Sequence, residues 1–171
     1  TYYKAESTLD WPEAVQPKTG VEPEYTVKYP TTFFLQNTYL GGNWMKTNDS
    51  NLWSSEKTKY DPCPPGWRVV RSNVYSIASG TSSKYEVPYD NVNLGINFSG
   101  IYGQDDVIWY PASGTISSPT SVSYVGNWGR YWLSNPMGNH ALNLLFLNTD
   151  EVSHNGGFWR SEGCPVRCVQ E

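Results

Sequence analysis

The chain has 171 residues, a formal net charge of -4 and only 16% charged side chains, against 15% aromatic ones that include eight Trp and thirteen Tyr. That length supports one domain able to bury its own core, and the aromatic richness argues against disorder or a solvated helical bundle. With no Lys or Arg run, nucleic acid and anionic membranes drop out as partners, since both demand concentrated positive charge.

Residues 1 to 28, with prolines at 12, 17, 23 and 30 in and just beyond them, read as an extended lead-in or linker, and residues 29 to 171 as the domain. "TTFFLQ" is a short strand candidate, and "GGNWMKTNDSNLW" a turn-rich excursion. "YDPCPPGWRVV", residues 60 to 70, packs three prolines and a glycine around one cysteine. Regular structure is ruled out there, and three readings stay open: a metal knuckle, a turn that anchors the fold, or part of an active site.

Ser72 is an acceptable N-cap for a short helix that does not extend past Ala78. From there to "INFSGIYG" glycines, aromatics and asparagines alternate without a helical period, so short strands and long loops are expected. "VIWYPASGTI" is a strand and turn in which Pro111 limits ladder pairing. In "HALNLLFLNTDEV", Leu142, Leu144 and Phe146 fall on one face at period two, the expected core face, while Asn143, Leu145 and Leu147 fall on the other. Val166 and Cys168 share a face in a terminal strand. No run of about 18 apolar residues is present, and no direct membrane insertion is expected.

Three cysteines, Cys63, Cys164 and Cys168, cannot all pair internally, and one disulfide plus one thiol is the simplest arithmetic. The C-x3-C spacing of Cys164 and Cys168, with His140 and His154 nearby, falls short of a zinc site because Cys63 must be left out or displace a ligand. "QDDV" and "NTDEV" lack calcium-loop spacing and read as solvated acids. Neither histidine sits in a nucleophile-elbow context, so no catalytic residue, metal or cofactor is assigned. The stretch from Asn127 to Trp159 is rich in amides and aromatics and nearly uncharged. Such side chains make adaptable contacts, as in antibody paratopes, and they equally suit ordinary turn-rich loops.

Taken in order, "KTKYDPCPPGWRVV", "FSGIYG", "YPASGTI", "GRYWLS", "ALNLLF" and "GCPVRCV" resemble the Fibrobacter succinogenes major paralogous domain, found in surface proteins of Bacteroides-type bacteria. The resemblance spans residues 29 to 171. It implies an α+β, C-type lectin-like fold: short antiparallel strands, one or two short helices, long loops and chain ends that meet. It implies a Cys63–Cys168 disulfide, Cys164 as a buried free thiol, Trp67 packed beneath the opening turn, and a secreted or cell-surface location in a bacterium. By this resemblance the chain is a non-catalytic adhesin module of a pilus or fimbrial tip, binding a surface protein or glycan. Its variable face, like those rewritten by diversity-generating retroelements, comprises Trp128, Arg130, Asn135, Met137, Asn139, His140, Asn143, Leu145, His154, Asn155, Phe158 and Trp159. The alternatives are a structural pilus or envelope subunit that meets its neighbours through the N-terminal segment, and an enzyme of unknown substrate. "WRVV" departs from the family's usual "WRVP", and the calcium-sugar signatures of animal lectins are absent. Calcium-dependent sugar binding is therefore not implied. Nor is the oxidative chemistry of formylglycine-generating enzymes, since one of the three cysteines is assigned to structure.

Overall fold

The computed structural model describes residues 13–15, 21–29, 32–34, 43–47, 49, 51–52, 54, 56–76, 87–98, 108–118 and 121–171. Residues 1–12, "SGTSS", the end of "FSGIYG" and "QDDV" lie outside them. Among the described residues the protein is mostly antiparallel strand with a single short α-helix, an α+β or mainly β fold.

The lead-in is not wholly extended. Strand β1, Glu13–Val15, is followed by helix α1, Pro23–Lys28, and β2, Thr32–Phe34, which pairs parallel with β1. Pro23 at the first helical turn has its φ preset and no amide to satisfy, while Glu24 and Lys28 complement the helix dipole at opposite ends. Val21 bonds across to Trp44 and Lys46 (N–H to O, 3.1 Å each), which holds this segment against the domain.

The opening turn is organised by Asp61. Its Oδ1 accepts the Cys63 amide at 2.9 Å, an Asx turn, and its Oδ2 accepts the Val69 amide at 3.1 Å. Lys57 donates from the other side to the carbonyls of Cys63 (2.6 Å) and Trp67 (2.8 Å). Of the three readings left open for the motif, the structure supports the anchor: Cys63 is disulfide-bonded to Cys168, and β3, Trp67–Val69, pairs antiparallel with β12, Cys168–Gln170. Trp67 does not pack beneath the turn, because it is 43% exposed. β12 begins only at Cys168, and Val166 instead bridges Trp132, so the two do not share one strand.

The expected helix after the motif is a single 3-10 turn, Ser72–Tyr75, with Arg71 in the capping position and no side-chain cap. Its Tyr75 is buried, and the Ser72 amide is spent on Asn135 Oδ1 (2.9 Å), so the local capping rule gives way to a tertiary hydrogen bond. Strands β4 (Tyr89–Asp90), β5 (Gly95–Asn97) and β6 (Trp109–Pro111) form one small sheet, and β7 (Thr115–Ser118) pairs with β8 (Ser121–Ser123). Pro111 closes β6, as its lack of an amide requires.

The largest sheet runs β11–β10–β9: β9 is Trp128–Met137, β10 His140–Leu147 and β11 Val152–Trp159. β10 lies in the middle. The free edge of β9 is covered at three points, by Gly114 (N–H to Trp128 O, 2.8 Å), by Pro165 (accepting from Trp132 N–H, 2.9 Å) and by Val70 (accepting from Ser134 N–H, 3.0 Å).

The core gathers Leu144 and Phe146 with Tyr131 and Leu133 from β9, Ile96, Phe98 and Tyr110 from the small sheet, and Tyr75 and Tyr89; Leu142 packs against it from partial burial. Buried tyrosines keep their hydroxyls paired: Tyr75 with Tyr110 at 2.7 Å, Tyr131 to Pro111 O at 2.7 Å and Tyr89 to Gly126 O at 2.6 Å. Gly129 is buried against Phe146, and a Cβ there would overlap the phenyl ring.

Two outcomes test this packing. Breaking the clasp with Cys63→Ser and Cys168→Ser together is expected to lower unfolding free energy by about 4 to 5 kcal/mol, as closing a loop of about 100 residues implies on chain-entropy grounds. Urea melts with and without reductant measure it, and non-reducing peptide mapping should recover a Cys63–Cys168 fragment. Gly129→Ala should cost about 1 to 3 kcal/mol by overpacking, visible as a lower denaturation midpoint at unchanged slope.

Candidate functional site

β9, β10 and β11 supply every residue of the expected binding face but Asn139, which sits in the β9–β10 turn, and their register divides it between two sides of the sheet. Neighbours along a strand point to opposite faces. His140 pairs with both Met137 and Trp159, whereas Ala141 pairs with Pro136 and Phe158. Met137, His140 and Trp159 therefore share the side that also carries Leu142 and Leu144. Trp128, Arg130, Leu145 and Phe158 belong to the other.

On the first side the core has ended, and the residues at the tip meet solvent. The His140 imidazole lies on the Trp159 indole with ring centroids 3.9 Å apart. Met137 is 52% exposed. Gly157 lets this group close up: a Cβ there would stand 2.9 Å from Met137 Sδ and 3.2 Å from His140 Cβ. Asn139 is exposed in the β9–β10 turn, and Asn155 is exposed at the β-bulge of β11, its Oδ1 accepting from Ser153 Oγ at 3.0 Å. Arg160 anchors the patch from below, donating Nε to His140 O at 3.1 Å and a second guanidinium nitrogen to Asp49 O at 3.0 Å.

The second side is a stack. Tyr124, which the sequence reading did not single out, lies flat on Trp128 (3.7 Å, 7°). The Arg130 guanidinium lies over Phe158 at 3.8 Å and near Trp128 at 5.7 Å, a cation–π arrangement. Phe158 in turn contacts Trp132 at 5.9 Å. Burial holds the Arg130 pKa below its ordinary value, although Cys164 and Glu162 nearby act the other way. Burial pushes the pKa of the Cys164 thiol up, although part of the residue meets solvent; it is the one free cysteine. His154 is half-buried, and its Nδ1 has no hydrogen-bond partner among the described residues.

Two expected contact residues lie off the exposed tip. Asn143 is 2% exposed. Its Nδ2 donates to Gly156 O at 2.7 Å, filling the gap that the bulge opens between β10 and β11. Asn135 is turned inward to receive the Ser72 amide. Period-two alternation assigned Asn143 to the outward face correctly, but a partly covered outward face is not an exposed one. Among the described residues no group of three or more His, Cys, Asp or Glu side chains is placed to hold a metal ion.

Scans against protein-family models and searches among curated proteins and solved structures return no match for this chain.

Glu162 supplies a pH test of the stacked side. Its carboxyl titrates above the ordinary 4.5, first because burial disfavours the charge, with Arg130 opposing. Folding thus favours the protonated acid: its contribution is fully present below 4.5 and is lost as pH rises through the higher folded value. Denaturation midpoints measured from about pH 4 to about pH 8 should show this loss in the native protein. Glu162→Gln should flatten the difference.

Proposed function

We propose that this chain is a non-catalytic ligand-binding module of a bacterial surface, a pilus-tip type of adhesin on a C-type lectin-like fold. It engages a surface protein or glycan through Met137, Asn139, His140, Asn155 and Trp159. The observation that carries the reading is the tip patch: open to solvent at Met137, Asn139 and Asn155 and half-open at His140 and Trp159, amide and aromatic in chemistry, yet held in place by strand register, the His140–Trp159 stack and Arg160. A site set on paired strands is positioned by its scaffold, so its side chains can change without unsettling the core. The disulfide between the opening turn and the last strand supports the lectin-like reading, because a cysteine near the first helix bonded to one in the last strand is what that fold implies. It also supports an oxidising, exported location. The sequence resemblance over residues 29 to 171 supports the family assignment.

One observation favours the structural-subunit alternative. Helix α1 buries none of its residues and leaves Val27 exposed, with Tyr25 and Tyr29 half open beside it. A neighbouring subunit is a natural cover for such a surface.

The two readings separate in one experiment. Met137→Ala, His140→Ala and Trp159→Ala, combined, should abolish binding on an array of glycans and extracellular proteins while the thermal midpoint stays within a few degrees. Replacing Tyr25, Val27 and Tyr29 with serine should leave array binding intact. Binding that survives the first triple and fails with the second would overturn the tip assignment.

A further inference from the structure

A cavity of about 390 Å³ lies between α1, the residues Trp44, Met45, Asp49, Leu52 and 59–62, and the β9–β10 end of the sheet. Its volume is in the range of small-molecule sites. The rings of Trp44, Tyr60 and Trp132 line it, and its surface is mainly apolar. Ser134 and Asn135 reach it because β9 carries two extra residues here: Ala141 pairs with Pro136 but Asn143 pairs with Trp132. Irregular pairing of this kind re-aims side chains and is over-represented beside binding sites.

Ser134 is only 4% exposed, and its Oγ has no hydrogen-bond partner among the described residues. Folded proteins rarely leave a buried hydroxyl unsatisfied, so one lining a cavity calls for a partner that comes from outside. Beside it, Asn135 spends its Oδ1 on the Ser72 amide, which leaves the carboxamide nitrogen as a donor. The charged side chains of the lining each have a hydrogen-bond or ion-pair partner, Asp49 accepting the Asn51 amide at 2.8 Å. Arg160 donates to the His140 and Asp49 carbonyls, Asp61 accepts the Cys63 and Val69 amides, and Lys59 pairs with Glu24 at 3.6 Å.

From these observations we propose that the cavity binds a para-alkylphenol, the chemistry of a tyrosine side chain. The ring lies among Trp44, Tyr60 and Trp132, and the hydroxyl donates to Ser134 Oγ while accepting from the Asn135 carboxamide. A purely apolar ligand leaves Ser134 unpaired. A saccharide loses hydroxyl hydration to apolar walls. This site is separate from the tip patch and does not rest on it.

Calorimetric or chemical-shift titration of the whole chain with p-cresol, N-acetyltyrosinamide, toluene and methyl β-glucoside tests the proposal. p-Cresol should bind, toluene about tenfold more weakly, since a site built around a hydroxyl rejects the analogue that lacks it. The glucoside should not bind. Binding of N-acetyltyrosinamide as well identifies the source as a tyrosine of a partner protein; binding of p-cresol alone identifies a free phenol. Ser134→Ala should reduce p-cresol to the level of toluene without lowering the thermal midpoint, because it removes an unpaired hydroxyl. Val27→Trp at the rim, where Val27 is 67% exposed, should block both ligands without affecting folding. The proposal is overturned if p-cresol binds no better than toluene, if the glucoside matches it, or if both variants bind p-cresol as before.

Discussion

The clasp at residues 61 to 69 and 168 to 170 is the constraint on which the rest depends. A sequence separation of 105 residues is closed by the Cys63–Cys168 bond, and β3 and β12 zip beside it. The opening turn could not hold this position through its own backbone, because three prolines remove donors from it. Asp61 and Lys57 supply the missing polar contacts, one accepting amides and the other donating to carbonyls. Once the ends are tied, the strap from Val70 to Ser72 lies along β9 and reaches Ser134 and Asn135. The edge of the main sheet is thereby covered from the same clasp.

Within that closed loop, aromatic residues take the place that aliphatic ones fill in many cores. Tyr75, Tyr110, Tyr131, Phe98 and Phe146 meet in tilted, edge-on and stacked pairs, with centroid separations from 5.0 to 6.3 Å. Each tyrosine hydroxyl needs a partner, so the choice of aromatics also fixes orientation. The Arg167 guanidinium adds a cap over Tyr110 at 4.5 Å. A core specified this way is directional. Its tolerance for change lies at the periphery, where the tip of the β9–β11 sheet extends past the last core side chains.

Much of this was legible in residues. The core face of β10 corresponds to what the residue period predicted, and the anchoring role of "DPCPPGW" and the pairing of Cys63 with Cys168 to what the family resemblance implied, the residues alone having left three readings of that motif open. Asn143 was misjudged for a physical reason: alternation states which side a residue occupies, and only the covering segment and the β11 bulge decide whether that side is wet. Trp67 was misjudged similarly, since an aromatic beside a turn carries no signal of which way it points. Residues expected to form one binding face split between the His140–Trp159 tip and the Arg130–Phe158 stack. A one-residue difference in strand position reverses a side chain's direction. Tyr124 gave no sequence signal at all; its place on Trp128 follows from the turn between β8 and β9.

The sequence by itself determined the class of element at most positions, the punctuation of the chain and the low charge of its C-terminal third. These depend on local sterics, residue period and composition, which act within a few residues. Tertiary structure decided which polar groups are buried, that Ser134 and Asn135 line a cavity, and that the amide-rich stretch divides into a tip patch and a half-buried stack. Those outcomes depend on register shifts and on segments distant in sequence, Val70 to Ser72 and Gly163 to Val166 among them. Their energies arise only when separate parts of the chain meet.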